Sequence, residues 1–138
     1  MSGSSEERTF EASVERVGEI VEYVSGLAVV SEVHPKRIMQ VELAVEEAAM
    51  NICSYAYEKP PGHVLVRVTK NEGRFIVELE DEGVPFDPLK MDEPDIKAEI
   101  EDRRVGGLGV FLLRRVMDEV HYSRENGCNR LTLVVYLQ

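Results

Sequence analysis

The sequence predicts an α+β sandwich, in which helices cover one face of a mainly antiparallel sheet. Two long segments carry apolar residues at helical spacing, and two pairs of segments alternate apolar and polar residues around short turns. The alternating βαβ units of a parallel sheet are missing. The 138 residues, 43% of them hydrophobic, fit a single core, so we expect one domain over residues 1–138.

The first half of the chain predicts a strand followed by two helices. "RTFEA" alternates like a short strand, and "VERVGEIVEYVSGLAVV" follows it with a helical pattern. The apolar residues of that pattern are Val17, Ile20, Val21, Val24 and Leu27. A second amphipathic helix is expected to begin near Pro35 and to run as far as Tyr55, because "EKPPG" then ends it.

The second half predicts two hairpins that flank a long connection. "HVLVRVTK" and "RFIVELED" predict a hairpin with its turn at residues 71–73, and "VHYSR" and "NRLTLVVYL" predict another around Gly127. Residues 85–106 are rich in proline and charge, which is typical of a lid or a binding segment. The glycine-rich stretch "GGLGVFLLRRVMDEV" then predicts a third helix.

Charge and composition exclude several classes of function. The net charge of −10 argues against a general affinity for nucleic acid, whose phosphates require a basic surface. There is no apolar run of the roughly 18 to 20 residues that a membrane span needs, and no signal peptide, so we expect no membrane partner and a cytoplasmic protein. Cys53 and Cys128 lack metal-site or disulfide spacing and are expected to be reduced and structural.

The second helix contains an asparagine where a helix interior would favour alanine by roughly 0.5 kcal/mol. On a helical wheel, Asn51 and Glu47 lie on the same side of the buried stripe formed by Val45 and Ala48. This helix edge can therefore offer an amide oxygen and, one turn earlier, a carboxylate to a cleft beside the sheet. The alternative is that Glu47 is a solvated charge and Asn51 a tolerated polar residue.

Two later motifs place further candidate residues at the ends of predicted elements. Asp81 ends an apolar strand and Gly83 follows it, while Gly107 and Gly109 open the third helix. Asp81 can also be a turn-initiating residue, and the glycines a plain helix start. The G-x-G at Gly107 and Gly109 is not followed by the third glycine of a dinucleotide-binding fingerprint. The P-loop pattern G-x-x-x-x-G-K-[ST] is also absent from the sequence.

The order E-x-x-x-N on a helix, D-x-G after a strand and G-x-G at a helix start resembles the nucleotide-binding boxes of the GHKL ATPases. Within this superfamily the chain is most similar to the anti-sigma factor serine kinases of the RsbW and SpoIIAB type. The stretches that carry the resemblance are "LAVEEAAMNICSYAY", "DEGVPFDP" and "GGLGVFLLRRVMDEV". The resemblance covers residues 8–137 and implies the Bergerat fold, with three helices on one face of the sheet and an ATP lid at 85–106.

The resemblance implies how the candidate residues would bind ATP. Asn51 would be a Mg²⁺ ligand, which fits the preference of Mg²⁺ for oxygen. Asp81 would accept a hydrogen bond from the adenine amine, and Gly83 would allow the backbone to approach the base. Gly107 and Gly109 would present backbone N–H groups to the phosphates.

Two further residues are expected to act at the γ-phosphate. Arg104 could reach it when the lid closes, although a solvated role for this lid arginine is an equal alternative. Glu47 would orient the incoming hydroxyl and accept its proton.

The chain departs from the family pattern at three positions. Ile52 and Tyr55 stand where the family commonly has alanine and histidine, and Pro85 stands where it has a second glycine. We expect Tyr55 to pack in the core and Pro85 to stiffen the entry to the lid. None of these changes removes a group assigned to the nucleotide.

The implied function is an ATP- and Mg²⁺-dependent serine kinase that sequesters a sigma factor or similar regulator and phosphorylates a STAS-domain antagonist. The family commonly forms homodimers. The alternative is a nucleotide-gated binding module that sequesters a partner without phosphate transfer. A detached histidine kinase domain is a third interpretation, but His34, His63 and His121 lie outside any dimerisation helix.

Overall fold

The fold is known from a computed structural model that describes residues 3–57, 62–85 and 113–137. The expected lid at 85–106, apart from Pro85, lies outside these residues, as do Arg104, Gly107 and Gly109. Of the predicted third helix, residues 113–116 are described and are helical. In the described part of the chain, no helix has the length and apolar character to cross a membrane.

Five antiparallel strands form one sheet with the order β1-β2-β3-β5-β4. The strands are β1 (Gly3–Glu11), β2 (His63–Asn71), β3 (Arg74–Asp81), β4 (Glu119–Glu125) and β5 (Cys128–Tyr136). Because β5 inserts between β3 and β4, the last residue of β3 faces the start of β5, where Asp81 pairs with Asn129. The predicted α+β class with a mainly antiparallel sheet is confirmed.

Both predicted hairpins are confirmed, and their turns explain the tight connections. Glu72 and Gly73 have φ angles of 53° and 79°. Asn126 and Gly127 have φ angles of 54° and 79°. Two successive residues with positive φ form the turn whose twist matches that of the flanking strands.

Two helices cover one face of the sheet. They are α1 (Val17–Val30), which follows a short 3-10 turn at Val14–Arg16, and α2 (Pro35–Asn51). Proline occupies the first turn of α2, and the ring nitrogen Nδ1 of His34 caps it by accepting a hydrogen bond from the Lys36 N–H at 3.1 Å. Ser25 of α1 donates a hydrogen bond to Glu42 of α2 at 2.7 Å, which joins the two helices.

The core lies between these helices and the inward face of β2, β3 and β5. The inward strand residues alternate with outward ones, as the sequence pattern predicts. The largest fully buried side chains include Phe75, Ile20, Leu79, Leu113 and Leu133. Burial of each such side chain contributes about 1.5 to 3 kcal/mol relative to exposure, so this layer supplies most of the driving force for folding.

The second helix extends as predicted but changes its winding after Asn51. Ile52–Ala56 form a π-helical turn, and the chain becomes extended at Tyr57. The expected packing of the Tyr55 side chain lies outside what the structure describes. π-Turns in α-helices are frequent at functional sites, because the wider turn redirects the side chains and carbonyl groups around it.

Gly127 and Gly26 offer a matched test of the hairpin geometry. We expect Gly127→Ala to lower the free energy of unfolding by about 1 kcal/mol, because its φ of 79° is unfavourable for a residue with a Cβ atom. Gly26→Ala should raise that free energy by about 0.5 to 1 kcal/mol, because Gly26 lies within α1 and has open space around it. Urea denaturation of both variants measures the two effects. A stabilising Gly127→Ala would contradict the turn geometry.

Candidate functional site

Asn51 lies at the end of α2 and lines a cavity between this helix and strands β3, β5 and β4. The residue is 7% exposed and lines the cavity wall. Within the described residues, this amide makes no hydrogen bond. Buried polar groups are almost always hydrogen-bonded, so an amide that faces a cavity and has no partner among the described residues suits a ligand.

Asp81 ends β3 and faces the same cavity, with 4% of its surface exposed. Its Oδ1 accepts hydrogen bonds from the Gly83 N–H at 2.8 Å and from Asn129 Nδ2 at 3.0 Å. Among the described residues, Oδ2 has no hydrogen-bond donor. Burial raises the pKa of this carboxyl, against the opposing effect of the two hydrogen bonds and of Arg124.

Asn129 holds Asp81 in place and was not predicted from the sequence. It is buried at the start of β5, and its Nδ2 also donates to the Val84 carbonyl at 2.8 Å. The Tyr122 hydroxyl on β4 donates to Oδ1 of the same amide. The sequence did contain a signal, because Asn129 shares the inward alternation of Leu131 and the apolar residues that follow it.

The loop after Asp81 is packed directly on the π-helical turn. A Cβ atom on Gly83 would lie 2.1 Å from the Ala56 carbonyl oxygen, so only glycine fits there. The Val84 N–H donates to that carbonyl at 2.8 Å, and Arg124 donates to the Gly83 carbonyl at 2.7 Å. The close neighbour of Gly83 among the described residues is the backbone of Ala56, and close approach of a ligand at Gly83 stays a prediction.

The cavity between these groups is apolar with polar ends. Its volume is about 40 Å³, which suits a few water molecules, so it corresponds to only part of a ligand site. Asn51 lies in one part of the wall, and Asp81, Tyr122 and Asn129 contribute the other polar groups. The apolar lining comprises Ala48, Ile52, Ala56, Leu79, Leu113 and Leu131.

Glu47 is half-buried one turn before Asn51, and it is not among the residues that line this cavity. Burial raises the pKa of its carboxyl, and the neighbouring Glu46 carboxylate raises it further. A carboxyl with a raised pKa is a better proton acceptor once ionised, which suits a general base.

The described residues contain no cluster of metal-binding side chains, and both cysteine thiols are free. Over residues 3–57, 62–85 and 113–137, no cluster of three or more His, Cys, Asp or Glu side chains is arranged to hold a metal ion. Cys53 and Cys128 are both free, as predicted, and burial raises the pKa of Cys53 to about 11, so its thiol stays protonated at neutral pH.

Comparison with known proteins relates this chain to a family of ATPase domains. The family model of the histidine kinase-like ATPase domain matches residues 10–135. The serine/threonine-protein kinase BtrW of Bordetella bronchiseptica is 35% identical over 94 residues, which cover 66% of this chain and 65% of BtrW. The serine-protein kinase RsbW of Bacillus thuringiensis is 29% identical over 105 residues, which cover 73% of this chain and 65% of RsbW.

The chain thus spans just under two thirds of the length of these relatives, 65% in each case.

A solved structure supports the fold over nearly the whole chain. A chain from the crystal structure of the SiaB–SiaC complex from Pseudomonas aeruginosa superposes with a TM-score of 0.56 at 20% identity. The match covers 93% of this chain and 88% of that one, which shows a shared fold.

The hydrogen bond from Asn129 predicts how Asp81 titrates. We expect Asn129→Ala to raise the pKa of the Asp81 carboxyl further, because the ionised form loses one of its two donors. Tyr122→Phe, which leaves the bond between Asn129 and Asp81 intact, should raise it less. Carboxyl carbon shifts of Asp81 in an NMR pH titration measure both.

The raised pKa of Asp81 also makes the stability of the fold depend on pH. Because the pKa of Asp81 is raised on folding, its contribution to stability falls as the pH rises from the ordinary pKa through the folded value. Asn129→Ala should widen the pH range between the ordinary pKa and the folded pKa of Asp81, over which this contribution is lost. An unchanged titration of Asp81 in Asn129→Ala would contradict the role of the amide.

Proposed function

We propose that this chain, which belongs to the histidine kinase-like ATPase domain family, is an ATP- and Mg²⁺-dependent serine protein kinase of the anti-sigma factor type. The observation that carries the proposal is that Asn51 and Asp81, which come from a helix and a distant strand, line one cavity. These are the two residue types that the family pattern requires for the metal and the base.

Asp81 is suited to recognise the amine of adenine. Its Oδ1 is occupied by two donors, so Oδ2 is the oxygen that remains to accept a hydrogen bond from a ligand. The apolar side chains of Leu79, Ile52 and Leu131 line the same cavity and suit contact with the apolar faces of a base. Guanine would present a carbonyl oxygen to the same carboxylate, which is repulsive.

Asn51 fits a Mg²⁺ ion that is held mainly by phosphates and water. Its amide oxygen is a hard ligand, it makes no hydrogen bond within the described residues, and it faces the cavity. Asn51 would hold the ion, which would supply positive charge to offset the negative charge of the phosphates. Gly107 and Gly109 would donate backbone N–H groups to the phosphates, and Arg104 would contact the γ-phosphate.

Glu47 is the proposed general base. It would accept the proton of a serine hydroxyl as the oxygen attacks the γ-phosphate and the bond to the β-phosphate breaks, with ADP as the leaving group. Its partial burial and raised pKa support this role.

The proposed partners are a sigma factor or similar regulator, which the protein would sequester, and a STAS-domain antagonist, which it would phosphorylate on serine. The names of BtrW and RsbW as protein kinases support the part of this proposal in which phosphate is transferred to a protein partner. Exposed apolar side chains on α1 and α2 could serve a partner or a homodimer. They are Val29, Val30, Met39 and Leu43.

The proposal includes a cytoplasmic location and no direct contact with nucleic acid, because a net charge of −10 repels the phosphates of nucleic acid. The nucleotide-gated binding module is the second candidate, because Glu47 does not line the described cavity. Such a module would bind ATP and a partner but would not transfer phosphate.

The metal assignment predicts that Asn51→Ala loses the part of ATP affinity that depends on Mg²⁺. Calorimetry with ATP in Mg²⁺ and in EDTA separates the two contributions. We expect a large loss in Mg²⁺ and little change in EDTA, with a circular dichroism spectrum like that of the wild type. Equal Mg²⁺ dependence in both proteins would remove Asn51 from the metal site.

The general-base assignment predicts that Glu47→Ala slows phosphate transfer by roughly 10²-fold or more while Mg²⁺-ATP affinity stays within several-fold. Glu46→Ala, a change of the exposed neighbour, is the matched control and should be close to wild type. The measurement is transfer of labelled γ-phosphate to a cognate STAS-domain protein.

The raised pKa of Glu47 also predicts the pH profile. Transfer should fall as the pH drops through that pKa, which lies above the ordinary value of 4.5, because the base becomes protonated. A fully active Glu47→Ala would return Glu47 to a solvated helix face. A wild-type protein that binds ATP and labels no STAS partner would favour the binding module.

A further inference from the structure

Tyr57 connects the π-helical turn to two strand ends through one hydroxyl group. The hydroxyl donates to the His63 carbonyl at the start of β2 at 2.6 Å. It also accepts a hydrogen bond from the Glu82 N–H, just after β3, at 2.9 Å. Both partners are backbone groups, so the contact depends on where the chain runs and not on which side chains Glu82 and His63 carry.

The aromatic ring of Tyr57 packs directly against the backbone of Gly62. A Cβ atom at Gly62 would lie 2.2 to 2.4 Å from atoms of the ring, so any other residue would displace it. The Gly62 carbonyl accepts a hydrogen bond from the Ala12 N–H at 2.8 Å. This bond fixes Gly62, and with it the surface on which the ring packs, to the residue that follows β1. The hydroxyl is therefore held in position before any ligand binds.

The hydrogen bond to Glu82 completes the attachment of the loop that orients Asp81. The Gly83 N–H is bonded to Asp81 itself, while the Val84 N–H is bonded to Ala56. The Gly83 and Val84 carbonyls accept from Arg124 and Asn129. Tyr57 binds the Glu82 N–H, which lies between Asp81 and Gly83, and so limits rotation of the peptide units that orient the carboxylate.

We infer that Tyr57 is a positioning residue for base recognition, acting through the backbone of residues 82–83 on the Asp81 carboxylate. The inference rests on the proposed function, because it assumes that Asp81 reads adenine. A carboxylate fixed in direction gains a hydrogen bond from adenine and repels the carbonyl of guanine. A loosened loop weakens both effects, so Tyr57 should control discrimination between the bases as well as affinity.

The test compares Tyr57→Phe with Tyr136→Phe. The Tyr136 hydroxyl donates to Glu119 at 2.7 Å, and Tyr136 pairs with Arg74 at the end of β3 opposite to Asp81. Calorimetry measures the affinities of each variant for Mg²⁺-ATP and Mg²⁺-GTP, and urea denaturation measures its stability. We expect Tyr57→Phe to lose about three- to tenfold in ATP affinity, the effect of one hydrogen bond, and a similar factor in the ATP-to-GTP ratio.

The outcomes separate this inference from the proposed function. Tyr136→Phe should keep the wild-type ATP-to-GTP ratio, even where its stability changes. A wild-type protein without affinity for either nucleotide would overturn the proposed function and the inference with it. A wild-type protein that prefers ATP, together with a Tyr57→Phe variant of equal preference, would overturn the inference alone, whatever the change in stability.

Amide hydrogen exchange provides a second measurement if Tyr57→Phe does not fold. In the wild-type protein without nucleotide, the Glu82 N–H should exchange slowly, because the Tyr57 hydroxyl already holds it. Exchange at the rate of an unprotected amide, with protection appearing only on addition of Mg²⁺-ATP, would show that the loop is not positioned in advance and would overturn the inference.

Discussion

The buried carboxyl of Asp81 is the constraint on which the site depends. An ionised group with 4% exposure is costly unless donors surround it, and here they come from Gly83 and Asn129. The first donor requires a tight loop after β3, and the second requires β5 to pair with β3 in a single register. A shift of one residue would turn Asn129 to the other face of the sheet and leave the carboxyl short of a partner.

The loop that satisfies Asp81 also joins the sheet to α2. Gly83 packs on the Ala56 carbonyl, and the Val84 N–H binds it, so the end of the helix and the end of the strand form one unit. The π-helical turn begins directly after Asn51 and ends at Ala56, whose carbonyl makes this contact. As a result, the amide of Asn51 and the carboxyl of Asp81 share one cavity, which the proposed metal and base sites require.

Charge shapes the proposed chemistry as much as geometry does. A chain with a net charge of −10 repels phosphates, so nucleotide binding would need a cation and local N–H donors. Within the helix, Glu47 and Asn51 differ in kind, since one carries a charge whose pKa burial raises and the other is neutral. This difference suits a division of roles in which the amide holds a metal and the carboxylate accepts a proton.

The sequence by itself determined the elements whose signals are local. Alternation and the turn residues Gly73 and Gly127 predicted both hairpins, and helical spacing predicted α1 and α2. The asparagine within a helix, Asn51, and the aspartate at a strand end, Asp81, were predicted as candidate site residues. Only the tertiary structure decided that Asn129, Tyr122 and Tyr57 support them. Their roles depend on strand order, on register and on the π-helical turn, which are set by contacts between residues far apart in the chain and have no local pattern.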